Sequence, residues 1–547
     1  MTALQQELAA ALAETGATTL FGLVGGGNFA LAGAFQDGGG RYVGLRHEMN
    51  AVAAADAYAR LTRTVGLVTV TQGPGLTHAV TAIVEAAKSS TPLLVLAADS
   101  PLGDRLSNQS VDQGALAMAT GAGYERWTRP DSMGAFVRRV TARATAERRP
   151  VIVGYPPDAA TDPAGAAADQ VIGGAVPAPA VPAPDRAEVE AVVAQLRRAS
   201  RPCVLAGRGA HLADAGPALA EVAQHVGAIL ATTVMADGLF AGHPLSAGVC
   251  GGFGDPAVAE VLAGVDVVLA VGAGLNPWTT RHGILFAAAQ VIQVDDRAAA
   301  IGVHRRVDRA VVADAGAFAG ALREAVLAGP GVGRGTPDLR GTGRGDFPSM
   351  AADGLMDPRA LAVALDELLP DERCVTVDGG HFSGWPVMHM VAIDPAAMLY
   401  PHGFQSVGLG LGSLVGVAVA RPDRLPVGMV GDGGLLMSLG ELDTLLTKRL
   451  PALVVVFNDA AYGAELHHFA RRPDTALALL AERDFAAIFR AMGGRAETVH
   501  APADLGRIRP WLQRPDGPLL LDCRISRAVV APWLASALGG HESLETV

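Results

Sequence analysis

The sequence predicts an α/β protein with three doubly wound, parallel-sheet domains. Short runs of β-branched and aliphatic residues alternate with helical patterns along all 547 residues. These runs are apolar on both faces, as the strands of a parallel sheet buried between helices must be. Two segments rich in Ala, Pro, Gly and Asp, residues 158–185 and 328–354, resemble linkers. We therefore predict domains over residues 1–165, 186–328 and 355–535.

Composition excludes several classes of protein. A net charge of −11 argues against a nucleic-acid surface, which needs a basic stripe. The four cysteines lie far apart in the chain, which argues against a disulfide framework or a zinc site. No apolar run reaches the length of a membrane span, and the N-terminus has no signal-peptide pattern. We therefore expect a cytoplasmic protein with no nucleic-acid or membrane partner.

Two stretches of the chain look like a diverged repeat. The segments that begin at Val65 and Val427 each contain an apolar run, a glycine turn, a helical pattern and a second run led by Pro. We therefore expect the first and third domains to share one topology. Ligands of such folds bind at the carboxyl ends of the strands, where the glycine turns lie.

A glycine turn with an acid at its centre is the first candidate site. Gly431-Asp432-Gly433-Gly434 follows an apolar run and opens a helix predicted over LLMSLGELDTLL. The glycines let a ligand approach the backbone, and free N–H groups at a helix start suit a phosphate. A carboxylate would repel that phosphate unless a divalent cation lies between them. The alternative is an ordinary tight turn.

A second acid, Asp459, ends the next apolar run. Successive strands of a βαβ unit end at the same sheet edge, so its carboxylate should lie beside that of Asp432. Oxygen ligands of this kind suit Mg²⁺. The alternative is a helix cap at Asp459, but two acids at neighbouring strand ends favour a cation site.

The motifs GDGG and NDAAYG (458–463) resemble the G-D-G…N-N motif of thiamine diphosphate enzymes, which include acetolactate synthase, benzoylformate decarboxylase, benzaldehyde lyase and pyruvate decarboxylase. The resemblance implies a pyrimidine-binding first domain, a Rossmann-like middle domain and a diphosphate-binding third domain. It implies Mg²⁺ ligands at Asp432, Asp459 and the backbone oxygen of Ala461, although relatives usually carry Asn at position 459. It also implies cofactor contacts for the glycines of the turn: Gly431, Gly433 and Gly434.

The first domain supplies the matching half. The run RYVGLRH leads into Glu48, which opens a helical pattern, a favourable place for any acid. In the family, a Glu at this strand end hydrogen-bonds the cofactor's aminopyrimidine ring and moves a proton, which implies catalysis by Glu48. QGPG (72–75) resembles the loop beside that ring. The resemblance implies cofactor contacts for Pro74 and for His78, where relatives often carry Asn.

Two stretches of the third domain complete the predicted cofactor site. The segment GFQSVGLGLG (403–412), with Gln405 as a cofactor contact, resembles the glycine-rich segment before G-D-G. Val407 matches the aliphatic residue that props the cofactor into its bent shape. DGGHFSGW (378–385) resembles the loop that touches the diphosphate, with His381 and Phe382 as candidates. A purely structural role is the alternative for His381.

A few positions bear on the substrate. Gly26 leaves room for a second substrate where decarboxylases carry Asp or Ser. Gln113 matches the pocket Gln of acetolactate synthases and benzaldehyde lyase, with a surface amide as the alternative. Glu465 matches a catalytic Glu of pyruvate decarboxylases. His467 and His468 follow it, and since neighbouring helical residues point about 100° apart, both cannot face one substrate atom. We predict His468 as catalytic, with a solvated helix face as the alternative.

The middle domain carries GRGAHLADA (207–215) and VIQVDD (291–296), which resemble a dinucleotide turn and a ribose-binding acid. This pattern is weak by itself. Related middle domains bind FAD or ADP in some families and nothing in others. We expect no bound nucleotide here.

The resemblance implies a thiamine diphosphate- and Mg²⁺-dependent lyase or carboligase that acts on small 2-oxo acids or 2-hydroxy ketones, as acetolactate synthase does. The alternatives are a 2-oxo acid decarboxylase, which Glu465 favours, and a 2-hydroxyacyl-CoA lyase or oxalyl-CoA decarboxylase. A NAD-dependent dehydrogenase would leave Glu48 and both acid motifs unexplained. In relatives the cofactor lies between the first domain of one subunit and the third of another. We therefore expect a homodimer or homotetramer with active sites at the subunit interface.

Overall fold

The computed structural model describes residues 3–100, 106–127, 132–156, 182–334, 339 and 345–537. These residues form three six-stranded parallel sheets with flanking helices. The predicted fold class is thus confirmed. No helix in the described part of the chain is long and apolar enough to cross a membrane.

The N-terminal sheet has the strand order β2-β1-β3-β4-β6-β5. Its strands are β1 (Thr19–Gly22), β2 (Arg41–Gly44), β3 (Gly66–Val70), β4 (Leu93–Ala98), β5 (Gly123–Arg126) and β6 (Val151–Tyr155). Its helices are α1 (Ala3–Glu14), α2 (Phe29–Asp37), α3 (Glu48–Thr62), α4 (Pro74–Lys88), α5 (Gln113–Thr120) and α6 (Met133–Glu147). Alternate residues of β4 enter two different cores, Leu94 and Leu96 on one face and Val95 and Ala97 on the other. Both faces are therefore buried, which explains the continuous apolar runs.

The middle sheet has the order β12-β11-β10-β7-β8-β9, the Rossmann arrangement in which the first and fourth strands are neighbours. Its strands are β7 (Pro202–Ala206), β8 (Ile229–Thr232), β9 (Ser246–Val249), β10 (Val267–Val271), β11 (Gln290–Asp295) and β12 (Arg309–Val312). Its helices are α7 (Arg186–Arg198), α8 (Arg208–Leu212), α9 (Gly216–Val226), α10 (Pro256–Ala263), α11 (Pro277–Thr280) and α12 (Ala315–Leu327).

The C-terminal sheet has the order β14-β13-β15-β16-β18-β17. Its strands are β13 (Arg373–Val377), β14 (Met398–Leu399), β15 (Leu425–Gly431), β16 (Leu453–Asn458), β17 (Arg495–Val499) and β18 (Leu519–Arg524). Its helices are α13 (Pro358–Leu368), α14 (Gly384–His389), α15 (Gly410–Ala420), α16 (Asp432–Ser438), α17 (Glu441–Thr447), α18 (Gly463–His468), α19 (Phe485–Ala491), α20 (Arg509–Gln513) and α21 (Pro532–Ala537). Counted within each domain, the first and third sheets have the same strand order, so the expected shared topology is confirmed.

The helix predicted over LLMSLGELDTLL is in fact two helices, α16 and α17. The break falls at Leu439 and Gly440, where a Cβ on the glycine would lie 3.1 Å from Cβ of Arg46. The break orients Glu441, whose carboxylate accepts hydrogen bonds from the backbone N–H groups of Arg46 and His47. The prediction of one helix was therefore wrong, because the periodicity did not include this contact between domains.

The domain boundaries stay a prediction. Residues 158–181 of the first predicted linker lie outside the described residues, as do 335–338 and 340–344 of the second.

Helices α3 and α15 join the N-terminal and C-terminal domains at very close range. A Cβ on Gly416 would lie 2.2 Å from the carbonyl oxygen of Ala54, and one on Gly412 would lie 2.7 Å from that of Asn50. Both helices contribute to one hydrophobic core that extends across the two domains. The glycines therefore fix the distance between the two sheets.

Substitution of Gly416 by Ala should destabilise the protein. The new methyl group would meet a backbone oxygen that cannot move alone, so we expect unfolding to become easier by about 1–3 kcal/mol, despite Ala's better helix propensity. Chemical denaturation of the full chain measures this. Gly320→Ala in α12 is the matched control, because a Cβ at that position would meet nothing within 4 Å and a stabilising effect is expected. Equal stability of the two variants would contradict the prediction.

Candidate active site

The first acid lies at the start of α16, between two glycines that face aromatic rings. β15 ends at Gly431, and Asp432 opens α16 with its carboxylate buried and its Oδ1 accepting from the Gly433 N–H at 2.8 Å. A Cβ on Gly433 would lie 2.6 Å from the Tyr462 ring, and one on Gly431 would lie 3.1 Å from the Phe382 ring. A side chain at position 433 would therefore clash with Tyr462, and one at position 431 would press on the Phe382 ring.

The second acid follows the neighbouring strand. β15 and β16 pair in parallel, with Gly431 opposite Phe457, so Asp432 and Asp459 leave the same sheet edge. Oδ1 of Asp459 accepts from the Ala461 N–H at 3.1 Å, across a left-handed Ala460 (φ 54°). The strand register therefore places the two acids close to each other, as predicted.

The loop after β16 leaves one carbonyl available. The Tyr462 N–H donates to Ala478, and the Ala460 carbonyl accepts from Leu480, which fastens the loop on both sides of Ala461. Among the described residues, no hydrogen bond to the Ala461 carbonyl oxygen is formed. The loop therefore offers an oxygen close to the two carboxylates.

Burial makes the acid pair electrostatically costly. Desolvation raises the pKa of Asp432 to about 6. Desolvation, followed by repulsion from Asp432, raises the pKa of Asp459 to about 7. Backbone N–H groups lower both values, but not enough to offset burial. A cation between the acids would remove the cost.

The wall facing these acids belongs to the same domain. His381, Phe382, Gln405 and Val407 line one cavity of about 1890 Å³ together with Asp432, Asp459 and Ala461. Gln405 has a left-handed backbone (φ 57°), and the Val407 side chain lies beside Gly434 and Gly379. The structure therefore brings together all the site residues predicted in the third domain for cofactor and metal.

His381 is held in one neutral form. Its Nε2 accepts from the Ala531 N–H at 2.8 Å, and its carbonyl accepts from the Trp533 indole. Burial, with His467 beside it, lowers the pKa of His381 to about 3. The proton of the neutral ring is therefore on Nδ1, which can donate to an anion. A structural role and a contact with an anion are thus compatible in this residue.

The N-terminal candidates form a second cluster. Glu48 opens α3 with its side chain largely buried, and its Oε2 lies 3.3 Å from Nδ1 of His78. The His78 ring stacks on that of His47, whose Nδ1 accepts from the Met49 N–H and caps α3. Pro74 opens α4 with an exposed ring.

The two clusters lie apart within one chain. Glu48, Pro74 and His78 are not among the residues that line the cavity at Asp432. Among the described residues the two clusters therefore do not line one cavity, and we name them the N-terminal half-site (Glu48, Pro74 and His78) and the C-terminal half-site (the cavity at Asp432).

Comparison with known proteins decides the family. Three models match in order: the thiamine pyrophosphate enzyme N-terminal TPP binding domain at residues 2–122, the central domain at 189–322 and the C-terminal TPP binding domain at 378–523. The chain belongs to the thiamine pyrophosphate enzyme family. The predicted resemblance is therefore confirmed, since thiamine pyrophosphate is another name for thiamine diphosphate.

Several members of this family are similar over most of their length. The sulfoacetaldehyde acetyltransferase of Rhodobacter capsulatus is 30% identical over 486 residues, covering 82% of this chain and 81% of its own. An acetolactate synthase large subunit from Parasynechococcus marenigrum is 30% identical, covering 82% and 75%. The acetolactate synthase isozyme 2 large subunit of Escherichia coli is 27% identical and covers 98% of each chain. A solved thiamine diphosphate-dependent 4-hydroxybenzoylformate decarboxylase from Rhodococcus jostii shares the fold, with a TM-score of 0.81, 21% identity and coverage of 96% and 99%.

The C-terminal half-site fits the metal and the diphosphate that a thiamine pyrophosphate enzyme holds. The buried carboxylate of Asp432, the half-buried carboxylate of Asp459 and the free carbonyl oxygen of Ala461 are a donor set for Mg²⁺. The N–H groups at the start of α16 and the Nδ1–H of His381 are donors for a phosphate. Asp459 in place of the usual Asn adds a charge that a divalent cation would balance.

Gln113 is not on the surface. It is 3% exposed, and its amide nitrogen donates to the Ala98 carbonyl at 2.8 Å. A different amide, Gln109, is exposed beside the loop of residues 72–75. Its Oε1 accepts from Gln72, and its backbone lies against Gly73. The surface alternative for Gln113 was therefore wrong, and a substrate contact of this residue stays a prediction.

Helix α18 carries Glu465, His467 and His468, and their surroundings differ. Glu465 is exposed and lines the cavity. His467 packs its ring on His381, with 4.6 Å between centroids, whereas His468 packs on Phe469. His468 is not among the cavity-lining residues, so the geometry does not bring this predicted catalytic residue to the site.

The middle-domain turn opens onto the same cavity. Gly209, Asp295 and Asp296 line it, as the dinucleotide pattern predicts for a ligand at the strand ends. Asp296, however, is paired with Arg148 of the N-terminal domain, so one of the two candidate acids already has a partner.

Asp459→Asn should stabilise the metal-free protein in a pH-dependent way. The carboxyl has its pKa raised from 3.8 to about 7, so the folded state loses stability as pH rises between these values. The neutral amide avoids this loss, and we expect a gain of about 1–3 kcal/mol at pH ~8 and a smaller one at pH ~5. Thermal unfolding of the wild type and the variant in the presence of a chelator measures the gain in stability at each pH. A gain that is the same at both pH values would contradict the assignment.

Proposed function

We propose that this protein is a thiamine diphosphate- and Mg²⁺-dependent lyase or carboligase that acts on 2-oxo acids or 2-hydroxy ketones. The observation that carries the proposal is the pair Asp432 and Asp459, whose pKa values burial raises, beside the free carbonyl of Ala461. The family membership supports the cofactor. The relatives named above support the reaction class.

The proposed roles of the residues follow from their surroundings. Asp432, Asp459 and Ala461 bind the metal, and the glycines of the turn let the diphosphate approach it. Val407 supports the bent cofactor. The bound cofactor supplies a thiazolium carbon that adds to a carbonyl group and accepts the electron pair of the broken C–C bond. Glu48, in a largely buried position, exchanges a proton with the aminopyrimidine ring.

We propose a homodimer, or a homotetramer built from such dimers, in which each site combines two chains. Large apolar side chains are exposed in both outer domains: Phe29 in α2, Phe404 next to Gln405, and Leu436 and Met437 in α16. A second copy of the chain would cover them and bring its Glu48 to the metal-bearing cavity.

Carboligation is the preferred chemistry. A Cβ on Gly26 would meet nothing within 4 Å, so this turn has open space for a second substrate. One relative is named a synthase of acetolactate, and another is named an acetyltransferase, which states the transfer of an acetyl group. The exposed Glu465 in the cavity favours the alternative, a 2-oxo acid decarboxylase, because it can donate a proton.

We propose that the middle domain binds neither FAD nor ADP, since Asp296 is already paired. Detection of a nucleotide in the purified protein would instead favour the CoA-dependent alternatives.

A substrate panel tests the function. The protein is incubated with thiamine diphosphate and Mg²⁺ and with 2-oxo acids, 2-hydroxy ketones or sulfoacetaldehyde, and CO₂ and products are identified. Joined carbon skeletons support carboligation, and free aldehydes support decarboxylation. An absence of turnover across the panel would contradict the proposal.

Glu48→Gln should separate binding from catalysis. The amide keeps the size of the side chain but cannot transfer the proton, so we expect turnover to fall about 10²–10⁴-fold while thiamine diphosphate still binds. Calorimetric titration and the exchange rate of the thiazolium proton measure the two effects. Glu7→Gln, at an exposed position of α1, is the control. Unchanged exchange in the Glu48 variant would refute its role.

Mixing two inactive variants tests the shared site. Glu48→Gln and Asp432→Asn chains are each expected to be inactive alone. A mixed dimer contains one site with both residues intact, so co-refolding or co-expression should restore turnover. If the mixture stays inactive while heterodimers form, the site lies within one chain.

A further inference from the structure

The loop that carries Gln405 and Val407 is held at its start by the other domain. Glu85, in α4 of the N-terminal domain, accepts from the N–H of Gly403 at 2.9 Å and from the N–H of Phe404 at 2.6 Å. The two oxygens of its carboxylate each take one of these bonds. The first residues of the loop are therefore fixed to the N-terminal domain of the same chain.

Glu85 has a full set of donors and a buried ion pair. Its side chain is 1% exposed, and it also accepts from the Ser89 hydroxyl at 2.8 Å and from the Arg60 guanidinium at 3.0 Å. Arg60 in turn is paired with Asp56 one helical turn earlier in α3. Burial acts to raise the pKa of Glu85, but Arg60 and the two loop N–H groups bring it below the ordinary value. The carboxylate is therefore ionised and has little freedom to move.

The end of the loop has a matching anchor. Asp378, which follows β13 in the C-terminal domain, accepts from the N–H groups of Gly408 at 3.0 Å and Leu409 at 3.1 Å. Asp378 is also buried. Gln405 and Val407, which lie between the two anchors, line the cavity. Asp378 belongs to the C-terminal domain, as the loop does, whereas Glu85 belongs to the N-terminal domain.

We propose that Glu85 is a positioning residue for the cofactor: from the N-terminal domain, it sets the place of the Gln405–Val407 loop in the C-terminal half-site. The inference rests on the proposed function. A shift of the loop start would move the Val407 side chain relative to Gly434, which it now contacts. Sites that hold a ligand in one conformation lose affinity when supporting residues move by fractions of an ångström.

Cofactor affinity of full-length Glu85→Gln tests this inference. The amide offers one acceptor in place of two and weakens the contact with Arg60, so one loop N–H loses its partner. We expect the Kd for thiamine diphosphate, measured calorimetrically at saturating Mg²⁺, to rise at least about tenfold. In a Val407→Ala background the same change should have a smaller effect, because both act through one loop.

Asp366→Asn is the matched control. Asp366 is likewise a buried carboxylate that pairs with an arginine, Arg373, and accepts a backbone N–H, but it does not line the cavity. The Asp366→Asn variant should have lower thermal stability, and its Kd for thiamine diphosphate should stay within about twofold of the wild-type value. Ser89→Ala, which removes a single donor to Glu85, should raise the Kd by a smaller factor and serves if the Gln variant does not fold.

The outcomes distinguish a failure of the positioning role of Glu85 from a failure of the proposed function. Wild-type protein that binds thiamine diphosphate, with Kd unchanged in the Glu85 and Ser89 variants, overturns the positioning role alone. Wild-type protein that does not bind thiamine diphosphate overturns the proposed function and this inference with it.

Discussion

Two carboxylates that a parallel strand register forces together are the constraint on which the C-terminal half-site depends. Asp432 and Asp459 follow paired strands, and both are largely desolvated. The Arg527 side chain acts to lower the pKa of Asp459, but burial and the neighbouring Asp432 outweigh it, and that pKa stays raised. The glycine turn, the left-handed Ala460 and the bonds of the loop to residues 478 and 480 hold the acids in place against their repulsion. A fold that bears this cost in the absence of a cation gains stability when one binds.

The second constraint is the reciprocal anchoring of the two outer domains. Glu441 of the C-terminal domain accepts from the N–H groups of Arg46 and His47, immediately before Glu48. Glu85 of the N-terminal domain accepts from the loop that leads to Val407. Each half-site thus has one buried acid from the opposite domain behind it. The glycine contacts between α3 and α15 make this arrangement rigid, because backbone rather than side chain sets the separation.

Those parts of the molecule that depend on local pattern could be predicted from the sequence. Strand runs buried on both faces determine the three sheets, and the acids at strand ends are local features, so Asp432 and Asp459 could be predicted as a pair. Features that depend on contacts between distant segments could not be predicted. The helix break at Gly440 reflects a contact with Arg46, and the burial of Gln113 reflects its hydrogen bond to the Ala98 carbonyl. The domain-crossing bonds of Glu85 span more than three hundred residues.

Helix α3 connects these constraints. It begins at Glu48, and two to three turns later it carries Arg60, which pairs with Asp56 of the same helix and with Glu85 of α4. Eleven of its residues are buried, including both members of the ion pair, so the helix moves as a unit if it moves at all. In the proposed dimer, its first residue serves the cofactor bound to the partner chain, whereas its buried pair supports the cofactor loop of its own chain. A displacement of α3 along its axis would therefore disturb both sites at once. The close contacts of its backbone with Gly412 and Gly416 oppose such a displacement.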